Sequence, residues 1–402
     1  MELKDVLMNF ISLLFITFVF PSSIYATINQ NSLQKHKVKI KLNDLALYSY
    51  PSSPGTFTID NPKYREVFDW VNFSYIQQYP FRFITDLSKC KFCNFTPHNE
   101  NSPPRDDTFD ISMTFILGKI AGIVPFVQTL RTTGSKAQMI TFVDDATEKE
   151  IKEKLGSFMS DCGVHIINMG IWQKRKNRFF LIYYFKYLPE IAFLETHPHF
   201  KRVLITDLTD VVFQGNTFLT EIKDENTLIV NPEFEKGGLD MHSWDKGSQA
   251  EIVKIMIENQ HEIDLKWYQT KARYYNSGVF LASRKTMMYL ISSILDLINK
   301  VNEEQWNRLE KIKERLEEQN FVIFAINRYL WTNSNYTVMH DGPKNDLFQV
   351  WGRKFKKTSF PDFKYKGNFV KLYHLIYLTK QYCRSVSYKC PQLFNFTPYY
   401  RC

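Results

Sequence analysis

Residues 201–213 read KRVLITDLTDVVF. Val203, Leu204, Ile205 and Thr206 follow a basic pair and run straight into Asp207-Leu208-Thr209-Asp210, after which Val211, Val212 and Phe213 resume the apolar character. A short unbroken apolar run of this kind is the pattern of a strand buried on both faces, as in a parallel sheet. Two carboxylates at its end are costly to bury unless a cation pairs them. A hard divalent ion is the natural partner for such oxygens. A strand-end turn with its carboxylates in water, or capping the next element, accounts for the same spacing.

Upstream the pattern recurs. Residues 110–118 (DISMTFILG), 137–145 (AQMITFVDD) and 164–170 (VHIINMG) each read as a short buried strand. Segments of helical character at 122–132, 147–163 and 177–197 alternate with them, and Thr147 followed by Glu150 has the form of a capping box. This alternation predicts an α/β fold with a mostly parallel sheet flanked by helices. In such sheets ligands collect beyond the carboxyl ends of the strands, where Asp144, Asp145, Asp207 and Asp210 all fall. Downstream, residues 226–234 and 274–283 read as further strands and 286–300 as a helix. A charged helix at 302–320 has the Glu–Lys spacing of a solvated face.

The ends of the chain carry an address. Residues 1–26 hold Lys4, an apolar run at 7–20, a Pro21-Ser22-Ser23 break and Ala26, the layout of a secretory signal peptide. A short uncleaved anchor is the competing reading, and the only membrane link the sequence offers. No later apolar run approaches the ~20 residues of a membrane span, which excludes a polytopic membrane protein. Residues 27–103 are proline-rich and polar, a stem or leader; 104–380 form the body; 381–402 form a cysteine-containing tail. Sequons for N-glycosylation start at Asn72, Asn94, Asn335 and Asn395. The six cysteines (Cys90, Cys93, Cys162, Cys383, Cys390 and Cys402) read as disulfides of an oxidising lumen, the last three close enough to staple the tail. Cys90 and Cys93 lack the second pair that a zinc knuckle needs.

Lys plus Arg total 51 against 42 Asp plus Glu, a net charge of +9 that is spread along the chain. The densest basic cluster is Lys174, Arg175, Lys176 and Arg178. No zinc finger, RNA-recognition signature or basic tail accompanies it, which favours anionic small molecules such as nucleotide phosphates over nucleic acid.

Residues 202–218 (RVLITDLTDVVFQGNTF) resemble the strand-end metal motif of GT-A-fold glycosyltransferases, the nucleotide-diphospho-sugar transferases. Residues 275–280 (YNSGVF) look like the Asn-x-Gly strand that follows it in those enzymes. Glu318-Gln319, with Phe324, Asn327 and Tyr329 beyond, is similar to their later Asp-Gln…Asn segment. His340 and His374 lie where such enzymes often place a histidine that completes the metal site. The resemblance spans about residues 108–380. It departs in spacing, since the usual motif is Asp-x-Asp: aligned on Val-Val-Phe, Asp210 matches the second aspartate and Leu208 falls where the first should be. Glu318 stands where Asp is commoner, and the His-x-x-Gly-x-x-Lys-Pro ending of one retaining group is absent.

The resemblance implies a GT-A, Rossmann-like nucleotide-sugar fold and a Mn²⁺- or Mg²⁺-dependent glycosyltransferase of the secretory pathway (ER or Golgi lumen) or a secreted one. It would move a hexose-type sugar from a nucleotide-diphosphate sugar, a UDP-sugar foremost, to a glycan, glycoprotein or glycolipid acceptor. Implied metal ligands are Asp210, Asp207 and His374, with His340 ranked second to His374. Asp207 is also a candidate ribose contact, joined in donor binding by Asp144, Asp145 and Arg178. Asn276, Glu318 and Gln319 are the implied catalytic or sugar-contacting residues, and Asp240, Trp244 and Asp245 are placed on the acceptor side. Bland readings stand beside these: core histidines, helix caps at Asp144 and Asp145, a turn at Asn276-Ser277-Gly278, and a solvated Glu318. The alternative for the whole chain is a non-catalytic, secreted domain of the same fold that binds carbohydrate or nucleotide. A phosphohydrolase would need an Asp-x-Asp-x-Thr motif, and an NTPase a Walker-type loop; neither occurs.

Overall fold

The computed structural model describes residues 70–99, 102, 104–118, 120–172, 186–222, 224–232, 248–259, 271–311, 318–331, 333–339, 348–349, 359–365, 368–374 and 380–390. Their centre is a seven-stranded sheet in the order β3-β2-β1-β4-β7-β6-β8. Its strands are β1 (Ile111–Phe115), β2 (Gln138–Val143), β3 (Val164–Asn168), β4 (Arg202–Thr206), β6 (Thr227–Pro232), β7 (Tyr275–Ser283) and β8 (Thr337–Met339). β3, β2, β1 and β4 run parallel. β7 runs against both β4 and β6, while β6 and β8 are parallel. The mostly parallel α/β sheet with flanking helices predicted from the sequence is what forms.

Helices cover both faces because successive side chains alternate across each strand. Ile111, Met113, Val203, Ile205, Phe280 and Ala282 enter one core, beneath α1 (Phe73–Gln77), α5 (Tyr187–Thr196), α7 (Arg284–Asn299) and α9 (Gln319–Ala325). Met139, Val143, Leu204, Val279 and Leu281 enter the other, beneath α2 (Ile123–Thr132) and α3 (Asp145–Leu155). Remaining helices are α4 (Phe158–Asp161), α6 (Ser248–Glu258), α8 (Glu303–Lys311) and α10 (Lys380–Lys389).

Three expectations are corrected. The stretch 201–213 is two strands, because the chain turns between β4 and a separate β5 (Val212–Phe213). β5 belongs to a second sheet, antiparallel to β12 (Leu372–Tyr373), which lies parallel to β9 (Phe348–Gln349). A small hairpin-like pair, β10 (Lys364–Tyr365) and β11 (Asn368–Phe369), completes the strands. The second correction is at α3, which starts before Thr147: Asp144 is its cap, accepting from Thr147 N at 3.0 Å, while the Thr147 hydroxyl accepts from Gly118 N at 2.6 Å. The third concerns the cysteines. Cys90 bonds Cys162, and Cys390 reaches back to Cys93, so at Cys390 the tail is tied to the N-terminal side and not to itself. The side chain of Cys383 and all of Cys402 lie outside the described residues.

Two disulfides suit an oxidising, secreted or lumenal environment. Among the described residues, no helix is long and apolar enough to cross a membrane.

Candidate metal centre

The reversed direction of β7 builds the site. β4 ends at Thr206, opposite Val279 in the first half of β7, and Asp207 N donates to the Gly278 carbonyl at 2.8 Å. The chain then turns through residues 208–210. Leu208 is buried in the apolar core, 2% exposed, while the Asp207 side chain beside it is 47% exposed. Gly122, at φ +88°, backs this turn closely: a Cβ there would stand 2.1 Å from the Thr209 carbonyl oxygen. β5 then pairs with β12, Tyr373 opposite Val212, which delivers His374 to the turn.

The result is a cluster of Asp207, Asp210 and His374 whose ligand atoms lie within 4.8 Å of one another. His374 Nε2 is 3.4 Å from Asp207 Oδ2 and 3.3 Å from Asp210 Oδ1. His374 is 2% exposed, whereas the Asp207 side chain is 47% exposed, so the cluster is closed beneath and open on the Asp207 side. Although Asp210 Oδ1 and both ring nitrogens of His374 are buried, none meets a partner in hydrogen-bond geometry. Groups that converge in this way without bonding one another could hold a metal ion between them. Space is kept for them by Gly278, where a Cβ would fall 2.3 Å from His374 Cε1 and 2.7 Å from Asp207 Oδ2.

Burial opposes a charge on His374, but Asp210 and Asp207 outweigh it and lift its pKa to about 10. Burial likewise raises Asp207, yet Lys186 and then His374 hold its carboxyl below the ordinary range. In the protein alone, a proton on the imidazole therefore supplies part of the positive charge that the two carboxylates demand.

Behind the cluster lies a buried ion pair. Lys186, 7% exposed, donates to Glu318 Oε1 at 3.1 Å and stands 3.8 Å from Asp207 Oδ1. Burial pulls its ammonium pKa down; Tyr187, Glu318 and Asp207 around it reverse this and raise it well above its ordinary value. Ser277 Oγ also donates to Glu318 Oε1, at 3.2 Å. Glu190, one turn along α5, is fully buried, and its pKa rises to about 8, so at neutral pH it is mostly protonated.

The structure thus gathers Asp207, Asp210 and His374, and sets Asn276, Ser277, Gly278 and Glu318 beside them. Asn276 Oδ1 accepts from Gly278 N at 2.8 Å and so shapes the entry to β7. Gln319 is buried at the start of α9. The expectation of a solvated Glu318 is corrected: its side chain is 13% exposed and faces a lysine 132 residues away. Asp144 is occupied in capping α3, and Asp145 accepts from Asn168 Nδ2 at 2.6 Å. Arg178 and its basic neighbours, His340, Asp240, Trp244 and Asp245 lie outside the described residues. Sequence reading missed Lys186, Glu190 and Gly122. A lone lysine inside the apolar stretch 179–194 was the available signal for the first.

No protein-family model matches the chain, and no curated protein is detectably similar to it. What stands is an α/β fold with a buried-to-open Asp/Asp/His group at the carboxyl end of β4, compatible with the GT-A arrangement.

Proposed function

We propose that this chain is a metal-dependent glycosyltransferase of the GT-A type. It transfers a hexose-type sugar from a nucleotide-diphosphate sugar, UDP-sugars foremost, to a glycan, glycoprotein or glycolipid acceptor in the secretory pathway. The observation that carries this reading is the three-ligand cluster at the end of β4, closed beneath and open on the Asp207 side.

Loss of a nucleoside diphosphate from a sugar builds negative charge on the leaving phosphates, and that charge is what such a protein has to stabilise. Asp207, Asp210 and His374 would hold the divalent ion, which when bound supplies Lewis-acid neutralisation of the diphosphate. The shifted spacing that supports a non-catalytic reading still delivers two carboxylates to one point. Lys186 and Ser277 fix the direction of the Glu318 carboxylate from two sides. A carboxylate held in this way is suited to accept a hydrogen bond or a proton from a sugar or acceptor hydroxyl. Asn276 sets the backbone on which Ser277 and Gly278 are presented.

The test is release of nucleoside diphosphate from a panel of UDP- and GDP-sugars by the purified chain, with Mn²⁺, with EDTA, and with Asp210→Asn. Turnover should require the metal and fall by about 100-fold or more in the variant. Nucleotide binding without turnover, indifferent to metal and to Asp210, would reassign the chain to a carbohydrate- or nucleotide-binding protein.

A further inference from the structure

A second cluster of ionisable groups lies away from the central strand β4, toward the edge of the sheet where β3 is the outermost strand. Residues 78–83 cross there as a strap. Phe81 of this strap packs against three imidazoles, with ring centroids 4.6 Å from His165, 5.9 Å from His197 and 5.5 Å from His199. Phe193 and Phe200 close the rest of the socket at 6.1 and 5.2 Å. Tyr79 adds a hydrogen-bond contact from its hydroxyl to His165 Nδ1 at 3.3 Å.

The strap is anchored at both ends. Before it, α1 is docked by Asn72 N donating to Met169 O at 2.6 Å. After it, Ile84 N donates to Gln138 Oε1 at 3.0 Å, and the Cys90–Cys162 bridge joins the strap's far side to the start of β3. Between these anchors, the aromatic plug is what holds it down.

Burial in the socket disfavours a charge on each imidazole. His165 Nε2 and His199 Nε2 are buried without a partner in hydrogen-bond geometry, His197 Nδ1 lies 2.8 Å from the Phe193 carbonyl, and among the described residues no carboxylate pairs with any of the three rings. The charged groups that face them are cations: Arg131 of α2 toward His165, and Arg284 of α7 toward His197 and His199. Lys201 lies over Phe109, which in turn packs on Phe83 of the strap. Glu148 of α3 acts on Tyr79 alone among these groups. Backbone at Arg82 and Tyr79 eases a charge on His165 and His197 only in part, for burial holds all three pKa values down. A proton on buried His165 or His197 therefore creates a poorly solvated cation with an arginine, and no carboxylate among the described residues, acting on it.

We propose that the strap 78–83 is an acid-operated latch: protonation of His165, His197 and His199 expels Phe81 from its socket and lifts the strap, while the anchors on either side keep it tethered. The sign follows from linkage. An imidazole whose pKa is depressed in the closed state takes up a proton on opening, so opening is favoured as pH falls below 6.5 and is suppressed above it. For His165, held at about 4 against an ordinary 6.5, this alone raises the opening equilibrium about 30-fold at pH 5.

The experiment is amide hydrogen exchange of the full chain at pH 7 and pH 5, with rates corrected for their intrinsic pH dependence. Protection of the strap amides of Tyr79, Phe81, Arg82 and Phe83 should fall about 30-fold or more at pH 5 while Ile84, β1 and β2 stay protected. The triple variant His165→Phe, His197→Phe, His199→Phe should keep its strap protected at both pH values. An unchanged strap in the native chain, or the same loss in the triple variant, overturns the latch. Should the triple variant fail to fold, NMR titration of the native imidazoles decides. Strap protection lost in step with their protonation between pH 6.5 and 4 supports the proposal; rings that titrate while the strap stays protected refute it.

Discussion

A Cβ on Gly278 would stand 2.3 Å from His374 Cε1 and 2.7 Å from Asp207 Oδ2, so this one position separates two ligands that the chain brings from far apart. Gly278→Ala should weaken Mn²⁺ binding about 10- to 100-fold, as displaced ligands do, and cost about 1–3 kcal/mol of stability through overpacking. Metal titration alongside a denaturant midpoint checks both; unchanged metal affinity would mean that the three groups do not act together. At this scale the sequence was readable where chemistry is local. Asp207 and Asp210 announce themselves as carboxylates ending an apolar run. Leu208, between them, falls at the ligand position by alignment, yet it is buried in the apolar core. Lys186 and Glu318 could not be paired in advance, because their contact spans 132 residues. Spacing rules see only a few residues either way.

Among the elements, α3 gives a carboxylate a structural role through a local rule. Asp144 ends β2, where a ligand contact was anticipated, and its carboxylate accepts from Thr147 N. Asp144→Ala should therefore lower stability by about 1 kcal/mol, the usual worth of a cap, with donor-sugar KM and kcat unchanged. A raised KM without loss of stability would instead return Asp144 to nucleotide binding. The parallel strands were visible from sequence because each is an apolar run closed by Gly or a carboxylate. The direction of β7 was not, since alternation and apolarity are the same for either sense of a fully buried strand. β5, β9 and β12, two residues each, are too short to carry any period, and it is they that position His374. The split at residues 207–211 was hidden for the same reason.

At the scale of the whole molecule, a covalent link joins residues 93 and 390, a sequence separation of 297. Asn94 N donates to Lys389 O at 2.6 Å beside it, so the contact is made by backbone as well as sulfur. Cys93→Ser with Cys390→Ser should lower stability by about 2–4 kcal/mol, and calorimetric or denaturant unfolding reads it. A loss confined to the last helix, with the global transition unmoved, would show that the bridge secures the tail alone. The fold class was legible from strand–helix alternation, and an oxidising environment from the even cysteine count. Which cysteines pair was not, because three-dimensional proximity at such separations leaves no trace in spacing.

The sheet order has a consequence in time. A chain is made from its N-terminus, and β1 to β4 can associate as soon as residue 206 is available, each beside a parallel neighbour. β4 is then an outer strand with one side unpaired, and it stays so until β7 is synthesised and inserts against it. The two aspartates at its tip spend that interval without the histidine, which arrives later still. A ribosome-bound fragment ending before β7 thus carries an apolar edge open to wrong partners and no complete ligand set. The interior position of β4 in the finished sheet is the last thing biosynthesis grants it.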